Sequence, residues 1–184
     1  MIPEWVKTTH FHLSDRGCLL RPWTDGARGR VRPTQGYLQM TSITPFLWFD
    51  NNVPQAVAFY KSVFPNAKVD VVNDFMAAFE LEGQRFNALN GGPKYRFNEA
   101  VSFFISVETQ EQVDYFWDRL TADGGEESRC GWLKDKFGLS WQVVPTALQR
   151  YMGDPDRERA NRVIQAMMGM KKIVIADLDK AYAG

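Results

Sequence analysis

The sequence predicts an α+β domain built from two similar halves. Apolar runs rich in aromatic and β-branched residues, which are typical of buried strands, recur along the chain from Thr41 onward. Each half opens with such a run, continues with a segment of helical periodicity and then adds further strands, in the order β-α-β-β-β for the first half and β-α-β-β for the second. An internal repeat of this kind predicts two modules of the same architecture. The hydrophobic fraction of 45% is that of a globular protein.

The first module, about residues 43–92, begins with an apolar strand over 43–49. A cluster of Asp and Asn at 50–52 supplies helix caps, and Pro54 suits the first turn of a helix. Apolar residues then recur at helical spacing until Pro65 ends the run. Strands are expected at 68–72, 75–81 and 84–89, with a tight turn at Asn73-Asp74.

The second module, about residues 100–145, opens with a strand over 101–107. Thr109 and Gln112 form a capping box that begins an amphipathic helix, and Gly124-Gly125 ends it. Two strands follow, at 127–133 and 139–144. Beyond them, a charged helix starting at Asp154-Pro155 and a short helix over 175–182 predict a helical C-terminal part, about 154–183.

Residues 1–40 differ from the rest of the chain. They hold both histidines, His10 and His12, and no sustained helix or strand period. The segment lacks the apolar core of a secretory signal. We therefore predict a disordered leader or an overlong gene start, followed by a single domain over 41–184. The alternative is a basic arm that recruits a partner.

Charge and cysteine content exclude several classes of protein. The formal net charge is zero, which gives no reason to expect nucleic acid or an anionic membrane as a partner. No stretch approaches the roughly 20 apolar residues that a membrane-spanning helix needs. Cys18 and Cys130 are far apart and form no CxxC pair, which favours a cytoplasmic location.

Three segments carry a resemblance to a known family: residues 43–50, 89–93 and 130–145. Together they resemble the PhnB-like proteins, often labelled 3-demethylubiquinone-9 3-methyltransferase domains, of the vicinal oxygen chelate superfamily. The resemblance spans essentially all of 41–184. It implies paired βαβββ modules that form a cupped mixed sheet around a pocket for a small molecule. It also implies a homodimer, as in glyoxalase I and the fosfomycin and bleomycin resistance proteins.

The resemblance also bears on metal binding. It places Thr44, Ser102 and Gln142 at three of the four strand positions where metal-dependent members carry His or Glu, with Asn90 or a neighbour near the fourth. Neutral oxygens bind Ca²⁺ or Mg²⁺ poorly without an anionic ligand. Residues 41–184 contain no histidine, which removes the usual imidazole ligands of Zn²⁺. No metal and no cofactor is therefore predicted.

The methyltransferase label lacks support in the residues. Binding of S-adenosylmethionine in its common fold needs a glycine-rich turn between a parallel strand and a helix. Gly91-Gly92 follows a predicted antiparallel meander and opens no predicted helix, so we interpret it as a turn. The Asn73-Asp74 link is also shorter than the glycine-rich link common in the family, which puts one wall of the implied pocket in question.

Two residues are catalytic candidates, and each has a structural alternative. Cys130 has Arg129, Lys134 and Lys136 near it in sequence, which would lower its pKa if they converge on the thiol. The alternative is a buried structural thiol. Asp135 could act as an acid or base, but an Asp in a turn before Gly commonly caps its own backbone.

The predicted function is binding of a small molecule without a metal, with catalysis unproven. Aromatic side chains would form the pocket walls and polar ones its floor. The predicted walls are Phe46, Trp48, Trp132 and Trp141, and the predicted floor is Thr44, Asn90, Ser102 and Gln142. One alternative is a metal-dependent lyase, isomerase or dioxygenase-type enzyme. Another is a structural dimeric module with a collapsed pocket.

Overall fold

Two four-stranded sheets organise residues 42–184, which are the residues that the computed structural model describes. The α+β class predicted from the repeat is confirmed. Each sheet has the same strand order, in which the first strand of a module pairs in parallel with its last strand. The predicted leader, residues 1–40, lies outside the described residues and stays a prediction.

The first module has five elements with short connections. They are β1 (Phe46–Phe49), α1 (Val53–Val63), β2 (Lys68–Val72), β3 (Met76–Leu81) and β4 (Gln84–Asn90), and the strand order is β1-β4-β3-β2. Pro54 lies in the first turn of α1, as its fixed φ favours. The backbone N–H of Val53 donates to the side-chain oxygen of Asn90 at 2.9 Å, so a residue of β4 caps α1.

The second module repeats this order and is more complete than its sequence predicted. It contains β5 (Ser102–Val107), α2 (Gln110–Thr121), β6 (Glu126–Glu127), β7 (Trp132–Lys134) and β8 (Ser140–Pro145), in the order β5-β8-β7-β6. The predicted capping box between Thr109 and Gln112 is present. The predicted strand over 127–133 is in fact two strands, because the backbone turns at Cys130 and Gly131 with positive φ.

Three helices complete the chain: α3 (Thr146–Met152), α4 (Arg157–Met168) and α5 (Ile175–Ala183). The first of them was not predicted, since it follows β8 without a break. The charged helix begins later than expected, because the carboxylate of Asp156 accepts from the backbone N–H groups of Glu158 and Arg159 and acts as the N-cap. Backbone N–H groups of Cys130 and Gly131 donate to the carbonyls of residues 170 and 171 and fix this C-terminal part to the second module.

One face of each sheet packs in a core that the two modules share. Burial alternates along β1, β3 and β4 of the first sheet, as expected for a sheet with one covered face. The rings of Phe86 and Phe103 lie 4.9 Å apart between centroids, and those of Tyr60 and Trp141 lie 5.8 Å apart. These contacts join the modules through apolar side chains. None of the helices within 42–184 has the length and apolar character needed to cross a membrane.

Candidate functional site

The first sheet presents an apolar face on the side away from α1. We call it the first exposed face and define it by Phe46, Trp48, Met76, Asn87 and Leu89. Strand register places Asn87 beside Phe46, and Leu89 between Trp48 and Met76. The Phe46 side chain is 57% exposed. The face therefore combines large apolar side chains with one carboxamide.

The second sheet presents a corresponding face that is more polar. This second exposed face is defined by Ser102, Phe104, Trp132 and Gln142. Gln142 lies between Phe104 on β5 and Trp132 on β7 in the strand register. Its side-chain N–H donates to the hydroxyl of Ser102 at 2.8 Å. An amide flanked by two aromatic side chains can both hydrogen-bond a ligand and enclose its flat surfaces.

The indole of Trp48 is held in one orientation by the loop that follows β4. Its N–H donates to the carbonyl of Gly92 at 2.8 Å, and the ring of Tyr95 packs edge-on at 5.0 Å between centroids. A Cβ at position 91 would lie 2.2 Å from the indole, so Gly91 is required for this packing. The Gly91-Gly92 turn thus supports an aromatic side chain of the first exposed face.

The side-chain contacts of Asn90 bear on the polar floor predicted from the sequence. The side chain of Asn90 is occupied, because its oxygen accepts from Val53 and its N–H donates to the carbonyl of Asp74 at 2.8 Å. Thr44 lies before β1 begins. Asn87 is the β4 amide on the first exposed face, and sequence reasoning missed it. The apolar residues on either side, Phe86 and Ala88, were the signal that could have identified it.

Trp141 lies on the opposite side of its sheet from Gln142 and does not share a surface with it. Successive residues of a strand point to opposite faces, and the Trp141 side chain is buried in the shared core. It instead lines a groove of about 780 Å³ between the modules. The groove has an aromatic floor and runs along the unpaired edge of β5; the floor residues are Phe64, Phe86, Phe103, Phe116 and Trp141.

Asp135 is a buried hydrogen-bond acceptor in a closed network. One carboxylate oxygen accepts from the Tyr60 hydroxyl at 2.8 Å and the Trp141 indole at 2.9 Å. The other accepts from the backbone N–H groups of Phe137 and Leu139. Burial raises the pKa of Asp135, while these four hydrogen bonds act in the opposite direction. Both oxygens are occupied, so this geometry supports a structural role for Asp135.

Cys130 lies in the turn before β7 and has a positive φ of 57°. Partial burial raises the pKa of its thiol, with Arg129 acting weakly in the opposite direction. The side chain is therefore not an activated thiolate at neutral pH, and its environment gives no support to a role as nucleophile. Neither catalytic candidate lies among the residues that define the two exposed faces.

The donors on the exposed faces do not fit a divalent metal ion. Asn87, Ser102 and Gln142 offer neutral oxygens, and the carboxylate of Glu80, on the same face as Asn87, is paired with Lys68 at 2.8 Å. Within residues 42–184, no group of three or more His, Cys, Asp or Glu side chains is arranged to hold a metal. Divalent cations in proteins are bound chiefly by anionic or imidazole ligands.

Comparisons with known proteins give a family and a set of solved structures. A family model described as 3-demethylubiquinone-9 3-methyltransferase matches residues 41–144. A search of curated proteins gave no match. A putative 3-demethylubiquinone-9 3-methyltransferase, PhnB protein, from Bacillus cereus is 28% identical over 57% of this chain and 99% of its own, with a TM-score of 0.51.

Two further solved structures are more distant. The fosfomycin resistance protein FosX from Listeria monocytogenes is 19% identical over 58% of this chain and 90% of its own, with a TM-score of 0.44. A glyoxalase-related enzyme from Fulvimarina pelagi is 14% identical over 57% of this chain and 88% of its own, with a TM-score of 0.43.

Proposed function

The chain belongs to the 3-demethylubiquinone-9 3-methyltransferase family, as its resemblance to PhnB-like proteins predicted, and we propose that it binds a small molecule without a metal ion. The two exposed faces would form the pocket when two copies of the chain associate. The observation that carries the proposal is that each sheet has an exposed phenylalanine, Phe46 or Phe104, and a half-buried carboxamide, Asn87 or Gln142, on the face opposite its helix.

The composition of the faces supports ligand binding over a collapsed structural module. Ligand pockets combine apolar and aromatic walls with a few placed polar groups. Phe46 and Phe104 are 57% and 49% exposed, which is costly for a surface that stays in water. Asn87 and Gln142 supply hydrogen-bonding groups within these apolar surroundings. In a closed structural interface, burying two such amides would be unfavourable unless each found a hydrogen-bond partner.

Two alternative functions find less support in the same residues. A metal-dependent lyase, isomerase or dioxygenase needs anionic or imidazole ligands, and the donors on the exposed faces are neutral. A methyltransferase of the common fold needs a glycine-rich loop at a helix N-terminus, whereas Gly91-Gly92 packs under Trp48 and no helix follows directly. We assign no catalytic residue.

The edges of the sheets support association of two copies. The outer edge strands are protected in ways that oppose strand pairing: β2 carries Lys68 and Asp70 and a bulge, and β6 is two glutamates long. The inner edge strands β1 and β5 contain no charged residue, and each pairs on one side alone. An uncharged free edge beside exposed aromatic side chains is a surface that a second copy would cover.

Two of the methionines at residues 167–170 do not offer a free surface for the two-fold contact. Met167 and Met170 pack against the buried cluster that joins the C-terminal helices to β8. They are therefore occupied within the chain. We place the two-fold contact at β1 and β5, and we propose a cytoplasmic homodimer.

Native mass spectrometry of the purified full chain tests the binding site. We expect a small molecule that stays bound under gentle conditions and is released on denaturation. Gln142→Ala and Asn87→Ala should reduce its occupancy, with thermal stability nearly unchanged because water can replace a pocket amide. Gln149→Ala and Asn161→Ala, which change exposed amides of α3 and α4, are the matched controls.

Three results would contradict the proposed site. Wild-type protein without any bound molecule is one, and occupancy that falls equally in the control variants is another. The third is a loss of about 1–3 kcal/mol of stability in Gln142→Ala, which would place that amide in a buried structural role.

A further inference from the structure

We infer that the ligand is a flat aromatic compound carrying an acidic group. Trp48 and Tyr95 would stack on its ring, and Lys94 and Arg96 would bind the acidic group. This inference rests on the proposed function and specifies its ligand class. The four residues, which we call the rim cluster, lie on the first exposed face and on the loop after β4. They combine fixed aromatic rings with positive charge at one end of that face.

The aromatic part of the rim cluster is preorganised. The Trp48 indole is fixed by its hydrogen bond to Gly92 and by close packing against Gly91. Tyr95 packs edge-on against it and is itself 56% exposed. A ring that is already oriented loses little conformational freedom when a flat ligand stacks on it. This geometry favours a planar ligand over a flexible one.

The loop that carries the charges is anchored at both ends. The Gly92 carbonyl is held by Trp48, and Phe97 packs on the buried ring of Phe49 at 5.2 Å between centroids. Between these anchors, the Lys94 ammonium lies 5.3 Å from the centre of the Tyr95 ring. Positive charge is therefore kept beside the aromatic pair.

Both cations of the loop are available to a ligand. Neither Lys94 nor Arg96 has an ion-pair partner within residues 42–184, and both side chains are exposed. Most other basic residues of the two modules differ in this respect, because carboxylates neutralise them. Examples are Lys68, which pairs with Glu80 at 2.8 Å, and Lys134, which pairs with Glu99 at 2.5 Å.

The acids near the two faces are neutralised by the same pairs. The carboxylates of Glu80 and Glu99 are the partners of Lys68 and Lys134, and these hydrogen bonds hold the pKa of both carboxyls below their usual value. The carboxylates of Glu80 and Glu99 are thus neutralised and repel an anionic ligand less than free carboxylates would. The charged residues between the two anchors of the loop, Lys94 and Arg96, are both positive, which fits an acidic group on the ligand.

Equilibrium dialysis of the full chain against three matched probes tests this inference. The probes are 2-naphthoate, its neutral amide 2-naphthamide, and cyclohexanecarboxylate, which has the charge without the aromatic rings. We expect 2-naphthoate to bind about tenfold more tightly than the amide, since each exposed charge contact contributes a few-fold. It should also bind about tenfold more tightly than cyclohexanecarboxylate, because that probe has no aromatic ring to stack on Trp48. The affinity for 2-naphthoate should also fall with added salt, whereas that for the amide should not.

Variants assign the binding to the rim cluster. Lys94→Ala/Arg96→Ala should bring the affinity for 2-naphthoate down to that for the amide, and Lys94→Arg/Arg96→Lys should restore it. Trp48→Leu should weaken both aromatic probes. Lys61→Ala/Arg157→Ala, which removes two exposed cations from α1 and α4, is the control and should change nothing.

Each contrary result overturns a defined part of the inference. Equal binding of 2-naphthoate and 2-naphthamide would show that the protein does not recognise the acidic group. Unchanged binding in Lys94→Ala/Arg96→Ala would show that the cations of the rim cluster do not bind the ligand. If no probe binds wild-type protein, the aromatic class is wrong. The proposed function fails separately, because it depends on the molecule retained in native mass spectrometry and on its loss in Gln142→Ala.

Discussion

The carboxylate of Asp135 links the two modules. It accepts hydrogen bonds from Tyr60 in α1 and from Trp141 in β8, and its side chain is 2% exposed. The same residue also orders its own turn through Phe137 and Leu139. A buried carboxylate of this kind fixes how elements pack, because leaving its donors without partners is costly.

The raised pKa of Asp135 predicts a pH dependence of stability. Below its ordinary value of 3.8, the carboxyl is protonated in both the folded and the unfolded chain. As the pH rises from this ordinary value to the raised pKa, the unfolded chain loses its proton before the folded chain does. The contribution of Asp135 to the free energy of unfolding therefore decreases over this range. Asp135→Asn cannot titrate and should lack this decrease.

Urea denaturation of both proteins over a series of pH values measures the effect. The stability of wild type minus that of Asp135→Asn should shrink as the pH rises above about 4. The subtraction removes the shared contribution of the other carboxylates, several of which have lowered pKa values. A difference that grows with rising pH would show that the hydrogen bonds outweigh burial.

The residues that share an exposed face were predictable where strand parity decides them. Phe46 and Trp48 are two apart in β1 and lie on the first exposed face, in register with Asn87 and Leu89. Asn90 was predicted for the polar floor, but its side chain is used by Val53 and Asp74, which are distant in sequence. Such long-range hydrogen bonds leave no local pattern to read.

At the level of elements, sequence periodicity identified the long helices and strands and missed the short ones. The pattern of α2 has a capping box and a buried stripe of Val113, Trp117 and Leu120. In contrast, β6 has two residues and α3 has seven, directly after Pro145. Neither is long enough for a period to be recognised.

The free edge of β5 gives the element-level prediction. Phe104→Asp places a charge on an uncharged edge strand and should convert the proposed dimer to a monomer. The monomer should keep its fold, because the Phe104 side chain is already 49% exposed. Analytical ultracentrifugation and circular dichroism measure the two effects.

Met152→Asp is the matched control, since that side chain in α3 is 38% exposed and away from the sheet edges. It should leave the mass unchanged. A Phe104→Asp protein that sediments like wild type would exclude β5 from the contact.

At the scale of the whole molecule, the C-terminal helices are the main addition to the family architecture. The family match ends at residue 144, and the helices beyond it pack as a cluster on the last strand through Val144, Ile173 and Leu178. Ile173 also contacts α2, because its carbonyl accepts from the side chain of Gln110. The addition therefore consolidates the second module.

The proposed pocket depends most on the closing of the two exposed faces by a second copy. Light scattering of the full chain between about 1 and 100 micromolar tests this most directly, since association responds to concentration. We predict the mass of two chains across most of that range, and any dissociation should be confined to the lowest concentrations. A mass of one chain throughout would contradict the proposed pocket, because each exposed face would then remain open to water.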